Sequence, residues 1–260
     1  MTATTRAERV VNSRRVFLGI MTIVVAASAA VTIVTGESMS AMGEMPMPGG
    51  WTMSHMWMLM PRQSWLGAGA AFVGMWVVMM VAMMLPSLAP TLLRYRETVG
   101  AAGTALVGLG YFSVWAVLGM VVFPLGSALA SVAMRHAAVA RAVPIVIGTT
   151  VVLAGVLQYT TWKARQLARC REAAGHGPAL PGELAGPWRH GWCLGIHCAQ
   201  SCAGLTTIML ALGVMDLRVM TAVAGAITAE RLAPNGARAA RVVGVVAVVL
   251  GLVVISRARP

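Results

Sequence analysis

The sequence predicts an all-α protein, a polytopic transmembrane helix bundle of about seven spans with a cytoplasmic N-terminus. Three observations lead there. Charged residues make up only 11% of the 260 positions and hydrophobic ones 58%, whereas a soluble domain carries roughly 25% charged residues. Apolar runs approaching the ~20 residues that cross a bilayer recur along the whole chain. Basic residues cluster in alternate connections between those runs, as the positive-inside rule requires.

The first run, residues 16–35, follows Arg6, Arg9, Arg14 and Arg15. Its "RRVFLGIMTIVVAASAA" carries the basic start and Ala-Ser-Ala ending of a signal peptide. The apolar stretch continues through Val31, Ile33 and Val34, beyond the roughly 7–15 residues of a signal core, so an uncleaved span is expected. Residues 1–35 thus form a basic N-terminus and first span, and 36–64 a Met-rich external loop. Residues 65–260 form a six-span membrane domain, with runs at 65–85, 105–129, 143–162, 191–212, 217–229 and 242–255. A long basic loop, 163–190, is expected on the cytoplasmic side, and its "GHGPALPGELAGP" reads as flexible linker.

This threading places Arg6, Arg9, Arg14, Arg15, Arg94, Arg96, Lys163, Arg165, Arg169, Arg171, Arg189, Arg231, Arg238 and Arg241 inside. Arg62, Arg135, Arg141, Arg218, Arg257 and Arg259 remain outside. The expected location is the bacterial cytoplasmic membrane, multi-pass, with the lipid bilayer as a partner and Trp51, Trp57 and Trp65 at the outer interface. The net charge of +12 reflects this topology. Nucleic acid is excluded as a partner, because the basic residues are scattered and lack interleaved aromatics or a binding motif.

The chemistry concentrates in "GWCLGIHCAQSC", residues 191–202, which holds three of the four cysteines. On a helix, Cys198 and Cys202 share one face, and Cys193 and His197 share another. Thiolates and a neutral imidazole suit Cu(I) first and Zn(II) second, and an ionisable His197 within a span argues for a role. The second run, "GMWVVMMVAMMLP", carries Met75, Met79 and Met83 in one row and Met80 and Met84 in the next. Counting from run ends at 85 and 191, at ~1.5 Å per residue, puts Met79 level with Cys198 and Met75 level with Cys202. Gly191 and Gly195 form a close-packing GxxxG pair.

The external loop adds Met39, Met42, Met45, Met47, Met53, Met56, Met58, Met60 and His55, a flexible set of soft ligands able to gather around Cu(I). Cys170, amid cytoplasmic arginines expected to lower its thiol pKa, is placed to receive or release metal. Asp216 and Glu230 read as interfacial acids, solvated or paired with Arg218 or Arg231. No Asp-Lys-Thr phosphorylation motif or Walker loop is present, so an enzyme that drives transport with ATP is not expected. The function read from these residues is non-enzymatic binding of a soft metal ion, for transfer or transport at the membrane, with a donor or acceptor protein as a further partner. Two rivals stand beside it: a thiol-disulfide oxidoreductase using Cys198 and Cys202, whose C-x3-C spacing departs from C-x-x-C, and a structural or assembly subunit without metal.

Over roughly residues 65–234, "WVVMMVAMMLPSLAP", "GYFSVW", "LQYTTWKARQLARCR", "GWCLGIHCAQSCAGL", "GVMDLRVM" and "AERLAP" resemble a bacterial family. Its members are known as metal-binding integral membrane proteins, carried under a domain-of-unknown-function label and described as copper chaperones. The family's fifth segment reads C-x-G-C-C-W, so Cys198 and Cys202 match its outer cysteines. Ser201 replaces the middle one, Gln200 the glycine and Ala203 the tryptophan. Of two loop cysteines only Cys170 is kept, with Gln166 in the other place; "GVMD" stands for G-V-M-N and Glu230-Arg231 for Glu-Lys. The resemblance implies metal binding by a reduced thiol set, for which Cys193 and His197 are candidate substitutes.

Overall fold

The structure is a computed structural model that describes residues 3–41, 43, 45–58, 63–175 and 185–258. It is all-α apart from one hairpin. Helices α1 (Ala3–Ala41), α2 (Trp65–Arg135), α3 (Ala137–Leu157), α4 (Thr161–Gly175), α5 (Ala185–Leu212), α6 (Leu217–Leu232) and α7 (Gly236–Arg257) follow one another, with strands β1 (Met45–Met47) and β2 (Trp51–Met53) between the first two. Among the described residues, α1, α2, α3, α5 and α7 are long and apolar enough to cross a membrane. The 16 residues of α6 reach only ~24 Å, short of a bilayer core of about 30 Å.

The expected second and third runs belong to one 71-residue helix that reverses at Gly100. There φ is 72°, a left-handed backbone open to glycine without a Cβ penalty. The limbs 65–99 and 101–135 pack through Trp76, whose indole Nε1 donates to the Trp115 carbonyl at 3.0 Å and whose ring lies against Gly119. The glycine pair on α5 docks on the second limb: a Cβ on Gly191 would collide with the Val107 carbonyl, and one on Gly195 would crowd Val114 and the Tyr111 carbonyl. Small residues let helix backbones approach where no side chain fits between. The same device joins α3 to α7, with Gly148 and Gly155 against Gly251 and Val248, and Gly244 against Gly155.

Two expected loops have fixed structure instead. In the Met-rich segment, Met45 pairs with Met53 across an antiparallel hairpin, and a 3-10 turn follows over His55–Trp57. Met47 and Met53 are buried against Ala130, Ala133 and Ala140, and the Trp51 indole donates to the Ala140 carbonyl at 2.8 Å. Three thioethers of the supposed flexible collector, Met47, Met53 and Met56, are therefore packed. Met42, Met60 and Arg62 lie outside the described residues.

The expected basic loop begins as helix α4. Lys163, Gln166, Leu167 and Cys170, spaced i, i+3, i+4 and i+7, are buried, while Arg165 and Arg169 are exposed. The face is polar enough to escape a hydropathy count yet has helical period. Most of the linker, 176–184, lies outside the described residues, and α5 starts at Ala185, six residues before Gly191.

Gly191→Ala is expected to destabilise the protein by about 1–3 kcal/mol, because its new methyl must push the Val107 backbone away. Gly225→Ala, where a Cβ meets open space, is expected to raise stability by up to about 1 kcal/mol through helix propensity. Thermal melts of the two variants in detergent check the contrast.

Candidate metal centre

The last turn of α6 organises the polar interior. Asp216 caps the start of this helix, its Oδ1 accepting from the backbone of Arg218 at 2.8 Å and of Val219 at 3.3 Å. At the other end Arg171 from α4 donates to the carbonyls of Glu230 and Ala233, both at 2.7 Å, satisfying C-terminal carbonyls the helix leaves open. Glu230 is buried, and its Oε2 pairs with Lys163 Nζ at 2.6 Å. Lys163 also donates to the Ser201 carbonyl at 2.5 Å, tying α4 to α5 between Cys198 and Cys202. Glu230 is therefore not the solvated or arginine-paired group expected from sequence, whereas Asp216 is exposed as expected.

Arg231, the next residue, fans across both limbs of α2 and helices α4 and α5. Its Nη1 donates to Ser87 Oγ at 2.8 Å, to Cys198 Sγ at 3.4 Å and to Tyr111 Oη at 3.5 Å, and its Nη2 to Cys170 Sγ at 3.4 Å. All four partners are buried. Among the described residues no carboxylate lies within ion-pair distance of Arg231, since Glu230 is engaged by Lys163. A guanidinium drawn into such surroundings needs a counter-charge. Of its partners, the thiols ionise most readily.

Cys198 also accepts from Tyr111 Oη at 2.8 Å, and Cys202 stands one turn further along α5. Cys202 in turn receives Thr206 Oγ1 at 3.8 Å. Both thiols are buried, Cys198 completely. Cys193 is exposed on the other face of α5, and His197, half-buried, keeps Nδ1 without a partner. Among the described residues no three of Cys, His, Asp and Glu converge, so an ion held here rests on two thiols and soft ligands of another kind.

Thioethers are close by. Met79, Met80, Met83 and Met84 are buried in the same core cluster as the thiols, and Met75 packs on its margin. The contacts bracket where they stand. Ser87 and Cys198 share Arg231 Nη1, while Trp76 lies against Trp115 and Gly119 and Gly191 against Val107, so the stretch of α2 between Trp76 and Ser87, which carries all four buried thioethers, passes the Cys198–Cys202 turn of α5. The first limb continues past 85 to the Gly100 hinge and α5 begins at Ala185, so the apolar edges are not the helix ends.

Cys170 differs from expectation as well. It is buried, not presented to solvent, and burial pushes its thiol up against the pull of the Arg231 guanidinium. The arginines beside it in sequence act elsewhere: Arg169 is exposed and Arg171 binds carbonyls. Sequence reasoning missed Arg231, Tyr111, Ser87 and Lys163. The available signal was the adjacent pair Glu230-Arg231 closing an apolar run, which a free interface does not require.

Fold and site together define an all-helical bundle built around a thiol cluster with a fixed cation. A family model described as PpoB2: Copper chaperone matches residues 73–254, from the Met row of α2 into the last turn of α7, and the chain belongs to that family. No curated protein and no solved structure matches it at a significant level.

Lys163→Met is expected to cost about 3–5 kcal/mol, because Glu230 is then left buried and unpaired. Combining it with Glu230→Gln is expected to recover most of that loss. A double-mutant cycle of unfolding midpoints measures the coupling.

Proposed function

We propose that this protein is a multi-pass protein of the bacterial cytoplasmic membrane that holds Cu(I) between Cys198 and Cys202 and hands it to a partner protein. The observation that carries this is Arg231, a cation turned onto thiols with no carboxylate among the described residues to balance it. A copper-loaded thiolate pair supplies the missing negative charge. The family description supports copper as the ion.

The geometry of a helix favours metal over a disulfide. Cβ atoms at i and i+4 are about 5–6 Å apart, a gap that two thiolates close around one soft ion, whereas a disulfide needs Cβ atoms within roughly 4.5 Å. Met79, Met80, Met83 and Met84 share the buried core with the two thiols, and Met75 packs on its margin. An aromatic layer of Trp57, Phe72, Trp76 and Phe123, with ring centroids 5.3–6.0 Å apart, covers the hairpin end of that row. Such a cover suits retention and hand-over rather than an open channel. Cys170, on the other terminal nitrogen of the same guanidinium, is the next sulfur toward the α4 end.

The contacts of Tyr95 with His190 and of Arg171 with Ala233 put the Gly100 hinge, α4 and the α6–α7 turn at one end of the bundle. The basic sequence of that end supports its cytoplasmic placement.

Cys198→Ser/Cys202→Ser is expected to lose the bound copper while keeping the fold, since hydroxyls are poor soft ligands. Copper content of purified protein measures it. Unchanged stoichiometry would overturn the centre, and a metal-free, reversible disulfide in the parent protein would support the oxidoreductase instead.

A further inference from the structure

We propose that Arg231 selects the charge of the cargo, making the centre specific for monovalent soft ions over divalent ones. The inference rests on the bis-thiolate reading of Cys198 and Cys202 and adds to it a specificity residue that is not itself a ligand.

The charge count follows from the residues present. The nearby Lys163–Glu230 pair is self-neutralising. Arg231 contributes one positive charge with no carboxylate partner among the described residues. When a monovalent ion M+ binds, the two thiols release two protons to solvent and two M–S bonds form, giving an RS–M–SR unit of charge −1. With the guanidinium the interior becomes neutral. The same pair around Zn(II) forms a neutral unit and leaves the guanidinium uncompensated, which is costly away from water.

Position supports the assignment as well as charge. Arg231 Nη1 lies 3.4 Å from Cys198 Sγ, close enough for a charge-assisted hydrogen bond to a coordinated sulfur. It is held there by Ser87 and Tyr111, so it cannot swing away to accommodate a dication. Thiol softness alone favours copper over zinc, and the fixed cation adds discrimination by valence, which softness does not supply.

Two variants change this charge by different routes. Arg231→Gln removes it. Ser87→Asp leaves the arginine in place and cancels its charge, because Ser87 Oγ is 2.8 Å from Nη1. Arg231→Lys retains a cation and serves as the control. Full-length protein in detergent is equilibrated with a mixture of Ag(I), a redox-inert monovalent probe, and Zn(II), and the metal bound per chain is determined by mass spectrometry. The expected result is a fall of at least about tenfold in the Ag(I)-to-Zn(II) ratio for Arg231→Gln and for Ser87→Asp, with Arg231→Lys near the parent. A ratio within twofold of the parent in a folded Arg231→Gln or Ser87→Asp protein overturns the charge-selection role while leaving the thiol centre standing. Failure of the parent protein to bind Ag(I) overturns the centre itself, and the role of Arg231 with it.

Discussion

A guanidinium enclosed by sulfur and hydroxyl groups is the constraint around which this bundle is built. Arg231 reaches Ser87 on the first limb of α2, Tyr111 on the second, Cys170 on α4 and Cys198 on α5. One side chain thus fixes the lateral arrangement of five helical segments, counting its own. Such a charge survives in an apolar core only with hydrogen bonds on its nitrogens and a negative partner available. The thiols accept the hydrogen bonds, and in the proposed copper-bound form they also carry the negative charge, which links the packing of the bundle to the chemistry of its core.

The surrounding structure positions that residue. Helix α6 is short, capped by Asp216 at its start and clamped by Arg171 at its end, so its last turn is held at a defined depth. Lys163 takes Glu230 out of reach of Arg231 and anchors the backbone at Ser201. Glycine contacts between α5 and the second limb of α2 bring Tyr111 within 2.8 Å of Cys198. Bulk at Gly191 or Gly195 therefore acts on the thiols as well as on stability.

Much of this was legible in the sequence, for physical reasons that differ by element. Long apolar runs announced α1, α3, α5 and α7, and the pairing of Cys198 with Cys202 followed from helical spacing alone. The GxxxG pair predicted close packing, although only the structure shows that its partner is the Val107–Val114 stretch. Helix α4 was hidden because its buried face uses Lys163, Gln166 and Cys170 in place of aliphatic residues. The helix ends were misplaced because apolarity ends before the helices do: Pro86 and Pro90 lie inside α2, and α5 starts in the sequence Ala-Gly-Pro-Trp-Arg-His. The role of Arg231 was not readable, since a basic residue at the end of a run has the same signature whether it faces solvent or the core.

X-ray absorption at the copper edge of the full-length protein loaded with Cu(I) tests the thiol centre most directly. A centre formed by Cys198 and Cys202 within the Met-lined core predicts a coordination shell made only of sulfur, of low coordination number, lost in the double cysteine variant. A shell dominated by nitrogen or oxygen, or a sulfur shell that persists without those two cysteines, would contradict it.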